Sequence, residues 1–128
     1  MREIIFRGKN PVGKWETGLL HMSGEKTFIV GDQFCAEVDP DTVGEYTGVE
    51  DACERCIFEG DIVRAVLPGT NTYREYVWPL QVVRFVNGAF GLEHGRNFTP
   101  LQSYSPAVEF TIMGNAHDDP GLMEVRDV

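Results

Sequence analysis

The sequence is poor in basic residues: 11 lysines and arginines stand against 20 aspartates and glutamates, for a formal net charge of −9 over 128 residues. Nucleic-acid binding depends on lysine and arginine to neutralise phosphates, and adhesion to an anionic membrane depends on the same side chains. The shortage of cations therefore predicts a protein that binds neither nucleic acid nor a membrane surface.

Long apolar runs are missing as well. No stretch approaches the roughly 18 residues of a membrane span. The apolar start, Ile4 to Phe6, is too short for a secretory signal because Arg7 interrupts it. These absences predict a cytoplasmic protein whose few cysteines stay reduced. The length predicts a single domain over residues 1–128.

Helical periodicity is scarce, and short β-branched and aromatic runs between turn-forming residues take its place. The pattern predicts a mostly β fold of about seven to nine strands, as a small antiparallel sheet or a partly open barrel, with an SH3-like barrel as one alternative. The clearest predicted strands lie at residues 4–6, 15–22, 27–30, 34–38, 46–49, 57–66, 82–86, 89–93 and 108–113.

The end of the chain carries a helix signal. Asp119 before Pro120 has the pattern of an N-cap residue followed by proline in the first helical turn. We therefore expect a short C-terminal helix, which Leu122, Met123 and Val125 would pack onto the sheet.

The strongest local signal is Asn87-Gly88 between two apolar runs, because this dipeptide suits a type I′ turn with positive φ at both positions. The register that follows places Arg84 and Glu93 as diagonal neighbours within reach of an ion pair. The residues predicted to share one buried face are Val83, Phe85, Phe90 and Leu92.

Cys53 and Cys56 form a C-x-x-C pair that resembles a hairpin tip before a strand. A redox-active pair is expected at a helix N-terminus, and a zinc site needs four ligands, for which Cys35 and His21 are the remaining candidates. We favour two ordinary cysteines beside a turn. No serine lies in a G-x-S-x-G motif and no phosphate-binding glycine motif occurs, so neither catalytic residues nor a cofactor is predicted.

Acidic residues are concentrated between positions 37 and 61, where nine carboxylates are balanced by Arg55 alone. Such a stretch can dock a basic partner or imitate a phosphate backbone, as a decoy for a DNA-binding protein would. It can also be a solvated edge that keeps the protein soluble and discourages strand pairing, which is the interpretation we favour.

Three ordered blocks of the sequence carry a family resemblance. They are Arg2–Gly8, then Tyr46–Asp51 followed by Ile57–Val63, and finally Ile112–Asn115 followed by Asp118–Leu122. Together they resemble the YopX family of phage and prophage proteins, in which a Tyr-Thr-Gly-Leu turn region leads into an Ile-(Tyr/Phe)-Glu-Gly-Asp-Ile-Val strand. The resemblance implies a phage or prophage origin, a bacterial host, a small β-rich fold and no catalytic residues that can be carried over.

The sequence departs from this family at the hairpin tip, where Ala52–Arg55 replaces a Lys-Asn-Gly-Lys type of turn. A cysteine pair at a variable tip is a poor candidate for a function that the family shares. The favoured hypothesis is a non-catalytic accessory protein that acts by self-association and by binding a host or phage protein. The alternatives are a small metal- or redox-active protein using the two tip cysteines, and a small enzyme with an unrecognised site.

An aromatic run between residues 73 and 78 marks the predicted interface. A β domain that does not close leaves strand edges that must be paired, covered or charged, and tyrosine and tryptophan are favoured at interface cores. We therefore predict a homo-oligomer with Tyr76 and Trp78 between subunits, the alternative being that Trp78 is simply a core residue before Pro79.

Overall fold

A computed structural model describes residues 3–123, and over that range the backbone is mostly β-strand with three short 3-10 helices. The predicted fold class is confirmed: the strands form two antiparallel sheets, and one of the sheets curls into a half-barrel. No helix within residues 3–123 is long and apolar enough to cross a membrane.

The described residues contain twelve strands, more than the seven to nine expected. In chain order they are β1 (Phe6–Lys9), β2 (Trp15–Ser23), β3 (Lys26–Val30), β4 (Cys35–Val38), β5 (Gly44–Glu50), β6 (Cys56–Phe58), β7 (Asp61–Leu67), β8 (Tyr76–Val77), β9 (Gln81–Val86), β10 (Ala89–His94), β11 (Asn97–Pro100) and β12 (Glu109–Asn115). The 3-10 helices are η1 (Pro40–Thr42), η2 (Leu101–Ser103) and η3 (Pro120–Met123).

One sheet has the strand order β4-β3-β2-β1-β5-β6, and the other has the order β11-β10-β9-β7-β12, with β8 pairing with β7 off this path. The chain divides into two compact units, Met1–Gly48 and Val49–Val128, with the boundary inside β5. Whether the two units behave as the single domain expected from the length stays a prediction.

The first unit is built on the alternation of β2, β3 and β4. Ile29 is completely buried, and it pairs with Leu20 on β2 and Ala36 on β4, so these three side chains share the inner face. The opposite face carries the row of Leu19, Val30 and Cys35, of which Leu19 is 61% exposed. The sheet of this unit therefore buries one face and leaves apolar side chains on the other.

The second unit holds the larger buried cluster. Its members come from β6, β7, β9, β10 and the segment before β12: Ile57, Val63, Ala65, Val83, Leu92 and Val108. All six are aliphatic. Strands β7 and β9 are buried over consecutive residues, Asp61–Val63 and Gln81–Val83, so neither face of the sheet is open to solvent there. Trp78, Tyr104 and Phe110 pack against the cluster as half-buried aromatic side chains.

The Asn-Gly hairpin has the predicted register, with Val86 opposite Ala89 and Phe85 opposite Phe90, and both turn residues have positive φ. The predicted ion pair is also present, with Arg84 Nε 3.6 Å from Glu93 Oε1. The buried face extends less far than expected, however, because Phe85 is 51% exposed. It lies next to the turn, beyond the buried cluster, and meets the Phe90 ring edge-on at 4.8 Å.

Two predicted strands differ most from the structure. β1 begins at Phe6, and Ile4, which we placed in the strand, is 58% exposed before it. The run from 57 to 66 is two strands rather than one, because Gly60 has φ of 94° and turns the chain between β6 and β7. Strand β11 was not predicted, since Asn97–Pro100 lacks an alternating pattern.

The predicted C-terminal helix is only the 3-10 turn η3. Glycine is a poor helix former, so Gly121 directly after Pro120 discourages longer growth. The Asp119 side chain does not cap this turn. Its carboxylate accepts a hydrogen bond from the backbone N–H of Asn115, earlier in the chain, at 3.2 Å. Leu122 is 41% exposed, and Val125 lies outside the described residues.

The turn conformation allows a stability prediction at Gly88, where φ is +83° and a Cβ would meet no atom within 4 Å. We expect Gly88→Ala to lower the free energy of unfolding by about 1 kcal/mol, because an L side chain is disfavoured at positive φ. Urea unfolding measures the change. Gly121→Ala is the matched control, since that site is equally open but its φ is not positive; equal effects of the two substitutions would contradict the argument.

Candidate functional site

The C-x-x-C segment lies where the sequence placed it, at the tip that links β5 to β6. The tip is closed by backbone bonds, in which the Asp51 N–H donates to the Arg55 carbonyl at 2.8 Å and the Glu54 N–H donates to the Asp51 carbonyl at 2.9 Å. Glu54 has φ of 63°, an uncommon conformation for a residue other than glycine. The tip is therefore tightly structured.

Asp51 is the buried centre of this tip, with 6% of its surface exposed. Its Oδ1 atom accepts hydrogen bonds from the N–H groups of Cys53 and Arg55, both at 2.9 Å. Its Oδ2 atom accepts from Arg55 Nε at 3.0 Å and from the Ile112 N–H at 3.1 Å, and lies 2.8 Å from Arg55 Nη2. Both carboxylate oxygens are thus fully occupied by donors of the same chain.

These donors decide the charge state of Asp51. Burial by itself raises the pKa of a carboxyl group because it disfavours the ionised form. The Ile112 and Arg55 amides, the Arg55 guanidinium and the Cys53 amide oppose that effect, and together they hold the pKa of Asp51 below its ordinary value. The carboxylate is therefore ionised at neutral pH, and its oxygens accept hydrogen bonds from groups of the fold itself.

The tip also covers the outer edge of β12. The Ala52 N–H donates to the Phe110 carbonyl at 2.7 Å, and Arg55 Nη2 donates to the Ile112 carbonyl at 2.9 Å. Together with the bond from the Ile112 N–H to Asp51, these contacts occupy backbone groups that an adjacent strand would otherwise pair with. An exposed strand edge is a template for unwanted pairing, and here a turn and two side chains cover it.

The cysteines of the tip are both free thiols. Cys53 is exposed, and its amide is used by Asp51, whereas Cys56 is half-buried at the start of β6. Neither residue lies at a helix N-terminus, the position that lowers a thiol pKa in redox proteins. The local geometry is that of two cysteines beside a turn.

The other two metal candidates lie in the first unit. His21 is exposed on β2, with its ring 6.3 Å from the Phe28 ring, and Cys35 is exposed at the start of β4. Because β3 lies between those two strands, they are not neighbours. Within residues 3–123, no group of three or more histidine, cysteine, aspartate or glutamate side chains is placed to hold a metal ion.

The two buried members of the acidic stretch have structural roles that the sequence did not reveal. Asp51 is one, and Asp61 is the other: it is 2% exposed, and its Oδ2 atom accepts a hydrogen bond from the Phe58 N–H at 2.8 Å. Both lie at turns, where aspartate side chains commonly accept bonds from nearby backbone amides. The spacing of Asp51 and Arg55 was a local signal for their ion pair, but nothing local indicated the bond from the Ile112 N–H.

An aromatic row links the exposed run at residues 73–78 to the core of the second unit. The Tyr76 and Trp78 rings meet edge-on at 4.7 Å, Trp78 and Tyr104 at 5.4 Å, and Tyr104 and Phe110 at 5.5 Å. Tyr76 is 54% exposed at one end, whereas Trp78 is half-buried against the core cluster. The two predicted interface residues are therefore in contact, and Tyr76 is the one that reaches solvent.

Comparison with known proteins agrees with the fold. The model of the YopX family, described as "YopX protein", matches residues 13–124. The structure is similar to the crystal structure of protein EF1440 from Enterococcus faecalis, with 18% identity, a TM-score of 0.57, and coverage of 96% of this chain and 99% of that one. At this identity the likeness shows a shared fold. No curated protein matches the chain.

The hydrogen bonds of Asp51 predict that the substitution Asp51→Asn destabilises the fold. The amide keeps the shape of the side chain but turns one acceptor into a donor that faces N–H groups, and it leaves Arg55 without its counter-charge. We expect the free energy of unfolding at pH 7 to fall by about 2–4 kcal/mol. Urea unfolding measures the loss, and Glu50→Gln, an exposed neighbour, is the control that should change little.

The same variant should differ in its pH dependence. Because the folded pKa of Asp51 is lowered, its contribution to stability is present above the unfolded value of about 3.9 and is lost as the pH falls through the folded pKa. The difference between wild type and Asp51→Asn should therefore be largest at neutral pH and shrink below about pH 4. A difference that stays constant from pH 7 to pH 3 would contradict the charged role.

Proposed function

Because the chain belongs to the YopX family, we propose that it is a phage- or prophage-encoded accessory protein that acts by self-association and protein binding, not by catalysis. Family membership supports the phage setting and, with it, the cytoplasm of a bacterial host. The inward use of Asp51, the most elaborately bonded acid of the tip, supports a non-catalytic role, because its oxygens are already occupied.

The observation that carries the proposal is the exposed Tyr76 ring held edge-on against Trp78. Trp78 is itself held in place, since its backbone N–H donates to the Ala65 carbonyl at 3.0 Å and its ring packs on the core cluster. A tyrosine fixed in this way presents apolar area to a partner and loses little conformational freedom on binding. Tyrosine and tryptophan are the residues that most often anchor protein interfaces.

The neighbourhood of Tyr76 has the composition of an interface. Tyr73 and Val77 are 74% and 42% exposed in the same short segment, so several apolar side chains face solvent together. Strand β8, which carries Tyr76 and Val77, is only two residues long and pairs with the end of β7. In the proposed assembly, a second copy covers this segment.

We expect light scattering on the purified protein to give the mass of an oligomer, at least twice the 14.4 kDa of one chain. Tyr76→Ser should shift the mass toward the monomer while the thermal unfolding midpoint stays within a few degrees, since the ring lies largely in solvent.

Phe85→Ser provides the matched control. Phe85 is exposed to a similar extent and makes the same kind of edge-on contact with another ring, but it lies at the Asn-Gly hairpin. It should leave the mass unchanged. A sharp wild-type mass near 14.4 kDa at high concentration would overturn self-association, and dissociation by Phe85→Ser in place of Tyr76→Ser would assign the interface to the wrong surface.

A further inference from the structure

Strand β4 forms one end of its sheet, and its backbone alternates between groups that face β3 and groups that face away. The Gly31 N–H donates to the Phe34 carbonyl at 3.0 Å, which makes these residues the closing hydrogen-bonded pair of the β3–β4 turn. From that pair the register alternates, so Ala36 and Val38 bond to β3 while Cys35 and Glu37 direct their N–H and C=O groups outward. Within the described part of the chain, these outward groups have no partner.

The corresponding ends of the other sheet are protected. On β12 the tip residues Ala52 and Arg55 bond to the outer backbone groups. On β11 the same alternation, counted from the paired His94 and Asn97, places Pro100 at an outward position, where it offers no N–H. Cys35 and Glu37 of β4 carry neither device, whereas the next outward N–H, that of Asp39, donates to the Lys9 carbonyl at 2.9 Å. The open edge therefore spans residues 35–37, and it can accept a short strand there.

The side chains around β4 select for charge. Residues 31–41 carry four carboxylates and no lysine or arginine, and all four are exposed: Asp32, Glu37, Asp39 and Asp41. Lys26 of β3 lies 3.9 Å from Glu37, but both side chains are largely in solvent, where such a pair contributes little. A second copy with the same net charge of −9 would be repelled here.

We propose that β4 binds an extended, basic segment of a partner protein, which adds to the sheet as an antiparallel strand. The proposal rests on the protein-binding part of the proposed function and is independent of self-association through Tyr76. The backbone of Cys35 and Glu37 supplies four hydrogen-bonding groups, and the carboxylates of the hairpin supply the charge selection.

The pleat of β4 defines the partner further. A residue paired with Glu37 points to the same outer face as that carboxylate, and lysine or arginine fits there. The partner residue opposite Ala36 points to the inner face, where Ala36 is half-buried beside the completely buried Ile29. An aliphatic residue fits that position, so the segment alternates basic and aliphatic side chains.

The probes that test this are two fluorescein-labelled peptides, Thr-Lys-Val-Lys-Val-Lys-Thr and its counterpart with glutamate in place of lysine. We expect anisotropy titrations of the full chain to show at least tenfold tighter binding of the basic peptide, weakening as salt is added. Cys35→Pro removes one outward N–H and should weaken binding at least fivefold, whereas Cys35→Ser keeps that N–H and should bind as wild type does.

Glu37→Lys tests the charge selection without a proline and should reduce or reverse the preference for the basic peptide. Equal binding to Cys35→Pro and Cys35→Ser, equal binding of the two peptides, or no binding of the basic peptide would each overturn the proposal. If the wild type is an oligomer and Cys35→Pro dissociates it, the strand that pairs with β4 belongs to a second copy of this chain, and the proposal is also overturned. Tyr76→Ser should leave peptide binding unchanged, which separates this result from the assembly test.

Discussion

The carboxylate of Asp51 is the point at which two distant parts of the second unit are joined. It gathers N–H groups from its own turn and from β12, and it holds the Arg55 guanidinium that reaches the Ile112 carbonyl. A buried charge is costly unless it is paired and hydrogen-bonded, so these donors and the carboxylate require one another. The turn conformation, the cover of the β12 edge and the lowered pKa of Asp51 all depend on this cluster.

The treatment of strand edges explains much of what remains. β12 is covered by side chains and a turn rather than by another strand, and β11 is limited by a proline. On the β4 side the Asp39 N–H is bonded to the Lys9 carbonyl, whereas the outward groups of Cys35 and Glu37 lie open beside exposed carboxylates. The acidic stretch consequently divides by role: Asp51 and Asp61 stabilise turns from inside, Asp39 caps η1 from the surface, and Glu37 faces solvent.

How well the sequence predicted a feature depended on how local its causes are. The Asn-Gly hairpin was predictable in register because its turn residues and apolar runs are neighbours in the chain. The exposure of Phe85 was not, since strand alternation says which face a residue is on but not where the buried cluster ends. The role of Asp51 was missed because one of its donors, Ile112, is 61 residues away. The tip itself was recognised, since the pattern of Cys53 and Cys56 before a strand is local.

The span between the tip and β12 has a consequence for how the protein is made. Arg55 leaves the ribosome 57 residues before Ile112, the residue whose carbonyl it bonds. At translation rates of about 5–20 residues per second, Asp51 and Arg55 wait roughly 3–11 s before that part of their cluster exists. During this interval the tip between β5 and β6 is held only by the bonds among its own residues. Completion of the second unit therefore waits for the synthesis of β12, and a chain that stops before β12 lacks the strand to which Asp51 and Arg55 bond.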